Sequence, residues 1–165
     1  MRPPKINPTR NGLQESTRIE ISALLQARMD DSTDLLAQSR QVQWKTEEPN
    51  SLALHQLFGK VCTDLEAYRD AMAGRLVQLG GRALESLRPA APQSLLPEFM
   101  VNRSSGKKHV AELAHALGFY SGLIRRAIEL ANNLEDSDTV GIFTEISLGL
   151  EGNLWFVEAH NQGEA

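Results

Sequence analysis

The chain has 165 residues, 41% of them hydrophobic and 23% charged, with a formal net charge of −4. That length suits one domain with enough apolar material to close a core, and the net acidity excludes a body that holds nucleic acid by bulk charge. The single cysteine, Cys62, excludes an internal disulfide framework, no apolar run approaches the roughly 20 residues that span a bilayer, and the N-terminus has no apolar secretory segment, so a cytoplasmic protein without a membrane partner is expected.

Residues 1–12 read as an extended N-terminal tail. Arg2, Lys5 and Arg10 carry its charge with no acid among them, and Pro3, Pro4 and Pro8 keep it out of a helix. A first helix is expected from about residue 13 to 43, with Ile21, Leu24, Leu25, Met29, Leu35 and Leu36 at helical spacing. Thr17 with Glu20, or Asn11 with Gln14, offers a capped start. The second helix begins at Asn50, after Pro49, and carries Leu54, Phe58, Val61, Leu65, Met72, Leu76 and Leu79 towards Gly80-Gly81, where left-handed cap geometry favours glycine. Residues 87–105, with Pro89, Pro92 and Pro97, form the one long irregular stretch. A third helix runs from about 107 to 132, and a fourth from Ser137 or Asp138 to about Ala159. No strand signal or internal repeat occurs. The pattern is all-α: a four-helix bundle over residues 13–160, with a crossover between the second and third helices and a C-terminal tail at 161–165.

The stretch from Gln43 to Gly81 carries the chemistry. Trp44, Pro49, Asn50, Ala53-Leu54-His55, Asp70, Met72-Ala73, Arg75 and Gln78-Leu79-Gly80-Gly81 stand in an order and spacing that resembles the ferroxidase region of the Dps family, the mini-ferritins that build small hollow cages and store iron. Pro8 to Leu13 and the stretch from Asp138 to His160 extend the resemblance over nearly the whole chain. It implies a ferritin-like bundle, a homo-oligomer of dodecamer form, iron as the bound metal, and oxidation of ferrous iron by peroxide or oxygen at a site between subunits. Of five ligands the family pattern supplies, His55 and Asp70 are present, while Gln43, Gly59 and Gly74 replace a histidine, an aspartate and a glutamate. Trp44 and Glu47 lie beside the site.

His55 and Asp70 are fifteen residues apart on one helix, which is roughly 22 Å along its axis. They can share a metal only if a second copy packs antiparallel across a two-fold axis, as the resemblance implies. Two readings stay open: a weak residual metal contact with slow or lost iron oxidation, and a metal-free hydrogen-bonded pair in an interface. Glycine twice inside a helix costs about 1 kcal/mol each relative to alanine, so helix stability explains neither position.

Elsewhere, Glu112 and His115 match one Glu-x-x-His element, but a di-iron bundle needs two, and a solvated helix face is the simpler account. Trp44 and Trp155 read as core or interface packing, and Cys62 as an inert buried thiol. Glu135, Asp136 and Asp138 cluster between the third and fourth helices, a junction that in the family lies near cation channels; their simpler account is helix-dipole stabilisation. Gly141, Leu148 and Gly152 stand where the family usually has Asp, Arg and Lys. The tail can neutralise about three phosphates per copy, so DNA is expected as a weak partner at low salt. Two further readings remain: a DNA-associating or structural cage without redox activity, and a partner subunit that co-assembles with an intact paralogue.

Overall fold

The structure, a computed structural model, describes residues 6–45, 52–84, 92–99 and 106–162. Glu47, Asn50, Arg2 and Lys5 lie outside these. Four long helices follow one another: α1 (Glu15–Lys45), α2 (Leu52–Gln78), α3 (Gly106–Asn133) and α4 (Ser137–Gln162), with no strand among the described residues. The helix starts and ends fall within two residues of those expected, except that α4 runs on through Asn161 and Gln162, where a C-terminal tail is expected.

The direction of each helix follows from which residues touch. Arg18, at the start of α1, reaches the carbonyl of Leu79 at the end of α2, while Gln43, at the end of α1, meets His55 at the start of α2. The two are therefore antiparallel. Tyr120 of α3 donates to the carbonyl of Arg28 on α1 (3.1 Å), and Arg75 of α2 reaches Thr139 of α4 (3.1 Å). With α3 also antiparallel to α1, α2 and α3 point the same way, and the chain between them must travel the length of the bundle. This is the crossover that the prolines marked.

Crossover residues are fastened to α1 by polar side chains. The backbone N–H of Leu95 donates to Asp31 Oδ1 (2.8 Å), Ser94 Oγ to Asp34 Oδ2 (2.8 Å), and Gln38 Nε2 to the carbonyl of Pro97 (3.4 Å). Gln26 both donates to the carbonyl of Leu84 and accepts its N–H, each at 3.0 Å. These bonds explain why α1 buries Asp31 and Gln38 beside its apolar row. Asp31 has no solvent exposure; burial pushes its carboxyl up, opposed by the Leu95 N–H and by Arg28, whose Nε lies 2.9 Å away. His109 is buried too. Its ring packs on Phe99 of the crossover (centroids 6.3 Å apart), and its Nδ1 lies 3.7 Å from Glu112. Glu112 thus turns to His109, while His115 stays exposed. Ile21, Leu25, Leu65, Leu76, Leu113, Leu117, Phe143 and Leu150 form the apolar centre between the helices, each contributing about 1.5–3 kcal/mol by burial. Cys62 is buried in the same cluster, and burial raises its thiol, so it is inert.

Helices α2 and α3 end in the same way. The N–H of Gly80 bonds Val77 and that of Gly81 bonds Leu76, with Gly80 left-handed at φ 86°. The N–H of Glu135 bonds Asn132 and that of Asp136 bonds Ala131, with Glu135 at φ 58°. Both are Schellman caps, and only the second uses a residue other than glycine. Asp136 then caps α4, accepting from the Thr139 N–H (3.3 Å), and its Oδ1 pairs with Arg75 Nη2 at 2.6 Å. Arg75 and Asp136 are 6% and 2% exposed, so this pair locks α2 to the α3–α4 corner.

Breaking a buried pair from one side leaves the other charge unpaired, at a cost of about 3–5 kcal/mol. Arg75→Ala should lose stability on that scale in denaturant unfolding; a loss no larger than that of an exposed arginine would show the pair to be structurally idle. The tyrosines give a second expectation. The Tyr68 phenol is pushed up to about 12 by burial and then by Asp64, and Tyr120, fully buried, is raised by burial as well. The folded state therefore keeps protons that the unfolded chain releases from its ordinary value of 10.0. Stability should be insensitive to these groups below that pH and fall as pH rises towards about 12. The two phenolate absorption bands should appear only together with loss of helical circular dichroism; half-ionised tyrosines in folded protein at pH 10.0 would contradict this.

Candidate metal centre

At one end of the bundle the antiparallel pairing of α1 and α2 brings Gln43 onto the first turns of α2. His55 Nδ1 lies 3.3 Å from the carbonyl of Gln43, and Gln43 Nε2 lies 3.4 Å from the carbonyl of His55. A backbone carbonyl only accepts, so the contact requires the proton on Nδ1. The neutral ring then keeps its lone pair on Nε2. Holding one ring nitrogen against a carbonyl is how proteins aim a ligating histidine. His55 is exposed, so its ring can be reached from outside this chain.

The other positions of the pattern lie along α2. Gly59 is half-buried, and a Cβ placed on it would meet Gln43 Nε2 at 3.0 Å. Asp70 and Gly74 are exposed, and a Cβ on Gly74 would meet nothing within 4 Å. The structure brings Gln43, His55 and Gly59 together; it leaves Asp70 and Gly74 about four turns away on the same helix. Among the described residues no three His, Cys, Asp or Glu side chains cluster as metal ligands. Trp44 is beside the site at the end of α1 and is 67% exposed; Trp155 is 63% exposed on α4. Of the two packing alternatives, neither tryptophan is core in this chain.

The acidic junction divides. Glu135 and Asp138 are exposed, but Asp136 is buried by its cap and its pairing with Arg75, so it cannot line a cation path. Arg75 also stands 3.6 Å from Asp138, which offsets part of that carboxylate's charge. The sequence reading took all three acids as one group; their alternation around the corner separates them.

Arg10 is exposed, yet the tail around it is not loose. The N–H of Asn7 donates to the carbonyl of Gly80 (2.7 Å), and Arg18 Nη1 bridges the carbonyls of Asn7 (3.3 Å) and Leu79 (2.9 Å). A Cβ on Gly80 would sit 2.3 Å from Asn7 O. Arg18 and this contact were not read from the sequence, because neither belongs to a local pattern.

Residues 22–163 match the family described as Ferritin-like domain. The DNA protection during starvation protein of Agrobacterium fabrum is 31% identical over 158 residues, spanning 96% of this chain and 98% of its own. The protein of the same name from Brevibacillus brevis is 24% identical, over 84% and 93% of the two chains. The fold matches that of DpsC from Streptomyces coelicolor with a TM-score of 0.88 at 20% identity, covering 94% of this chain and 91% of that one. It also matches an archaeal Dps homologue from Halobacterium salinarum at 0.84, with coverage of 98% and 94%. Bundle and crossover define a ferritin-like protein. Within that class, the chain belongs to the Dps family of mini-ferritins, whose general role is iron sequestration and protection under stress. No described helix is long and apolar enough to cross a membrane.

Substituting Gly80→Ala should force the tail off, since the new Cβ collides with Asn7 O and strains a left-handed position, a cost of about 1–2 kcal/mol before any lost contact. Thermal unfolding should shift down and proteolysis within residues 6–12 should accelerate. Unchanged cleavage of that segment would refute the latch.

Proposed function

We propose that this chain is a subunit of a hollow Dps-type homo-oligomer, a dodecamer in the family pattern, that sequesters iron and protects against oxidative stress with a ferroxidase activity weakened or lost. The observation that carries the reading is the ligand stripe itself. His55 is aimed by Gln43 and exposed, Asp70 is exposed, and the three remaining positions offer an amide and two glycines. Oxidising ferrous iron calls for several carboxylate and imidazole donors that still leave positions for the oxidant. One imidazole from one subunit and one carboxylate from its neighbour hold a cation briefly and bias it little towards the ferric state. Iron is cargo here, and the cage wall is the function that survives.

Assembly is supported by what the single chain leaves uncovered. Trp44, Leu148 and Trp155 are each more than 60% exposed, and Trp155 packs edge-on against the exposed Phe156 beside it, apolar surface that a neighbouring subunit would cover. Gly141, Leu148 and Gly152, exposed on α4, would make its subunit contact apolar where charges are usual. DNA association is a second reading, supported by the exposed Arg10 on an acid-free basic tail. With Asn7 latched to Gly80, Arg10 would meet a duplex close to the body of the subunit, so binding would depend on many tails acting together and would fade with salt.

The test is stopped-flow oxidation of ferrous iron by peroxide in assembled protein. The wild type should be slower by about two orders of magnitude than Gln43→His/Gly59→Asp/Gly74→Glu, a change equivalent to about 3 kcal/mol in the barrier. Fast oxidation by the wild type that His55→Ala leaves untouched would place the chemistry elsewhere.

A further inference from the structure

The two glycines on the ligand stripe are not equivalent. At Gly74 the space for a side chain is empty to 4 Å. At Gly59 it is taken: Gln43 Nε2 stands 3.0 Å from where Cβ would be. The amide is held there by the reciprocal contact with His55, 3.4 Å from side chain to carbonyl and 3.3 Å from ring to carbonyl. Because the carbonyl of His55 accepts only, the end of the amide that faces it, and therefore faces Gly59, is the NH2. That end has no lone pair for a metal and presents partial positive charge to one.

From this geometry we propose that Gln43 is a specificity-determining residue, an amide plug seated on Gly59 that closes the carboxylate position at 59 to a ligand and leaves His55 as the one donor on the α1–α2 half of the centre. Loss of the ligand at 59 and presence of the amide at 43 are then one feature, not two. A carboxylate at 74 would find room at once. A carboxylate at 59 would first have to push the amide aside, against its contacts with His55. The proposal rests on the reading of this stripe as an inter-subunit metal centre.

Two measurements on the full, assembled chain separate the plug from that reading. The first uses no metal: the melting temperatures of wild type, Q43A, G59A and Q43A/G59A at one protein concentration. Alanine in place of a helical glycine should raise the melting temperature by about 2–4 °C when the space is free. This gain should appear in the Q43A background and be largely absent beside Gln43. Equal gains in both backgrounds overturn the plug. The second is titration with cobalt(II), followed by its ligand-field absorption. Q43A/G59D/G74E, which removes the amide without adding a ligand, should bind at least about tenfold tighter than G59D/G74E. Equal affinities overturn the proposal. If the melting temperatures couple but no variant binds cobalt(II), Q43H/G59D/G74E included, then the packing is right and the metal-centre reading is what fails, and the assigned role fails with it.

Discussion

The antiparallel register of α1 on α2 is the constraint on which the rest of this structure depends. It is fixed at both ends by different means. At one end Arg18 ties the carbonyls of Asn7 and Leu79 together, and the left-handed turn at Gly80 lets the N-terminal segment lie against it. At the other, Gln43 and His55 exchange side-chain contacts with each other's backbone. Shifting one helix by a single residue would turn these partners away, because each step rotates a side chain by about 100°. The same register places the amide of Gln43 on Gly59.

The second hairpin, α3 and α4, is attached through charges buried where water cannot compete. Arg75 reaches from α2 to Asp136 and Thr139 at the corner, while Tyr120 reaches Arg28 across the bundle. Buried pairs of this sort contribute little net stability against an apolar alternative, but they penalise any arrangement that separates them. Glu135 shows a local compromise: a left-handed cap position that favours glycine carries a carboxylate instead.

Much of the fold was legible because it is written in local periodicity. The apolar rows of the four helices, the Gly80-Gly81 stop and the proline-rich crossover each announce themselves over a few residues. That His55, Gly59, Asp70 and Gly74 share one helix was legible too. What was hidden is whatever depends on two elements meeting. Asp136 looked like one of three surface acids because its partner, Arg75, is 61 residues away. The burial of Asp31 and His109 came from a crossover that sequence alone could only describe as irregular. In the sequence Gln43 stands only as the replacement of a histidine; its place over Gly59 depends on the pairing of α1 with α2, which no spacing within either helix states. The start of α1 shows the same limit on a small scale: the Leu13 N–H bonds Asn11 Oδ1 (3.0 Å) and the helix opens at Glu15, so the pairing of Thr17 with Glu20 is not its cap.

The central claim is that this Dps chain keeps the address of the family's iron site while giving up most of its ligands. Anomalous diffraction at the iron edge, from crystals soaked anaerobically in ferrous iron, tests it most directly. The account predicts partial occupancy by one ion at His55 Nε2, facing Asp70 of the partner subunit, with nothing coordinated by Gln43. Two fully occupied iron positions at that interface in the wild-type protein would contradict it.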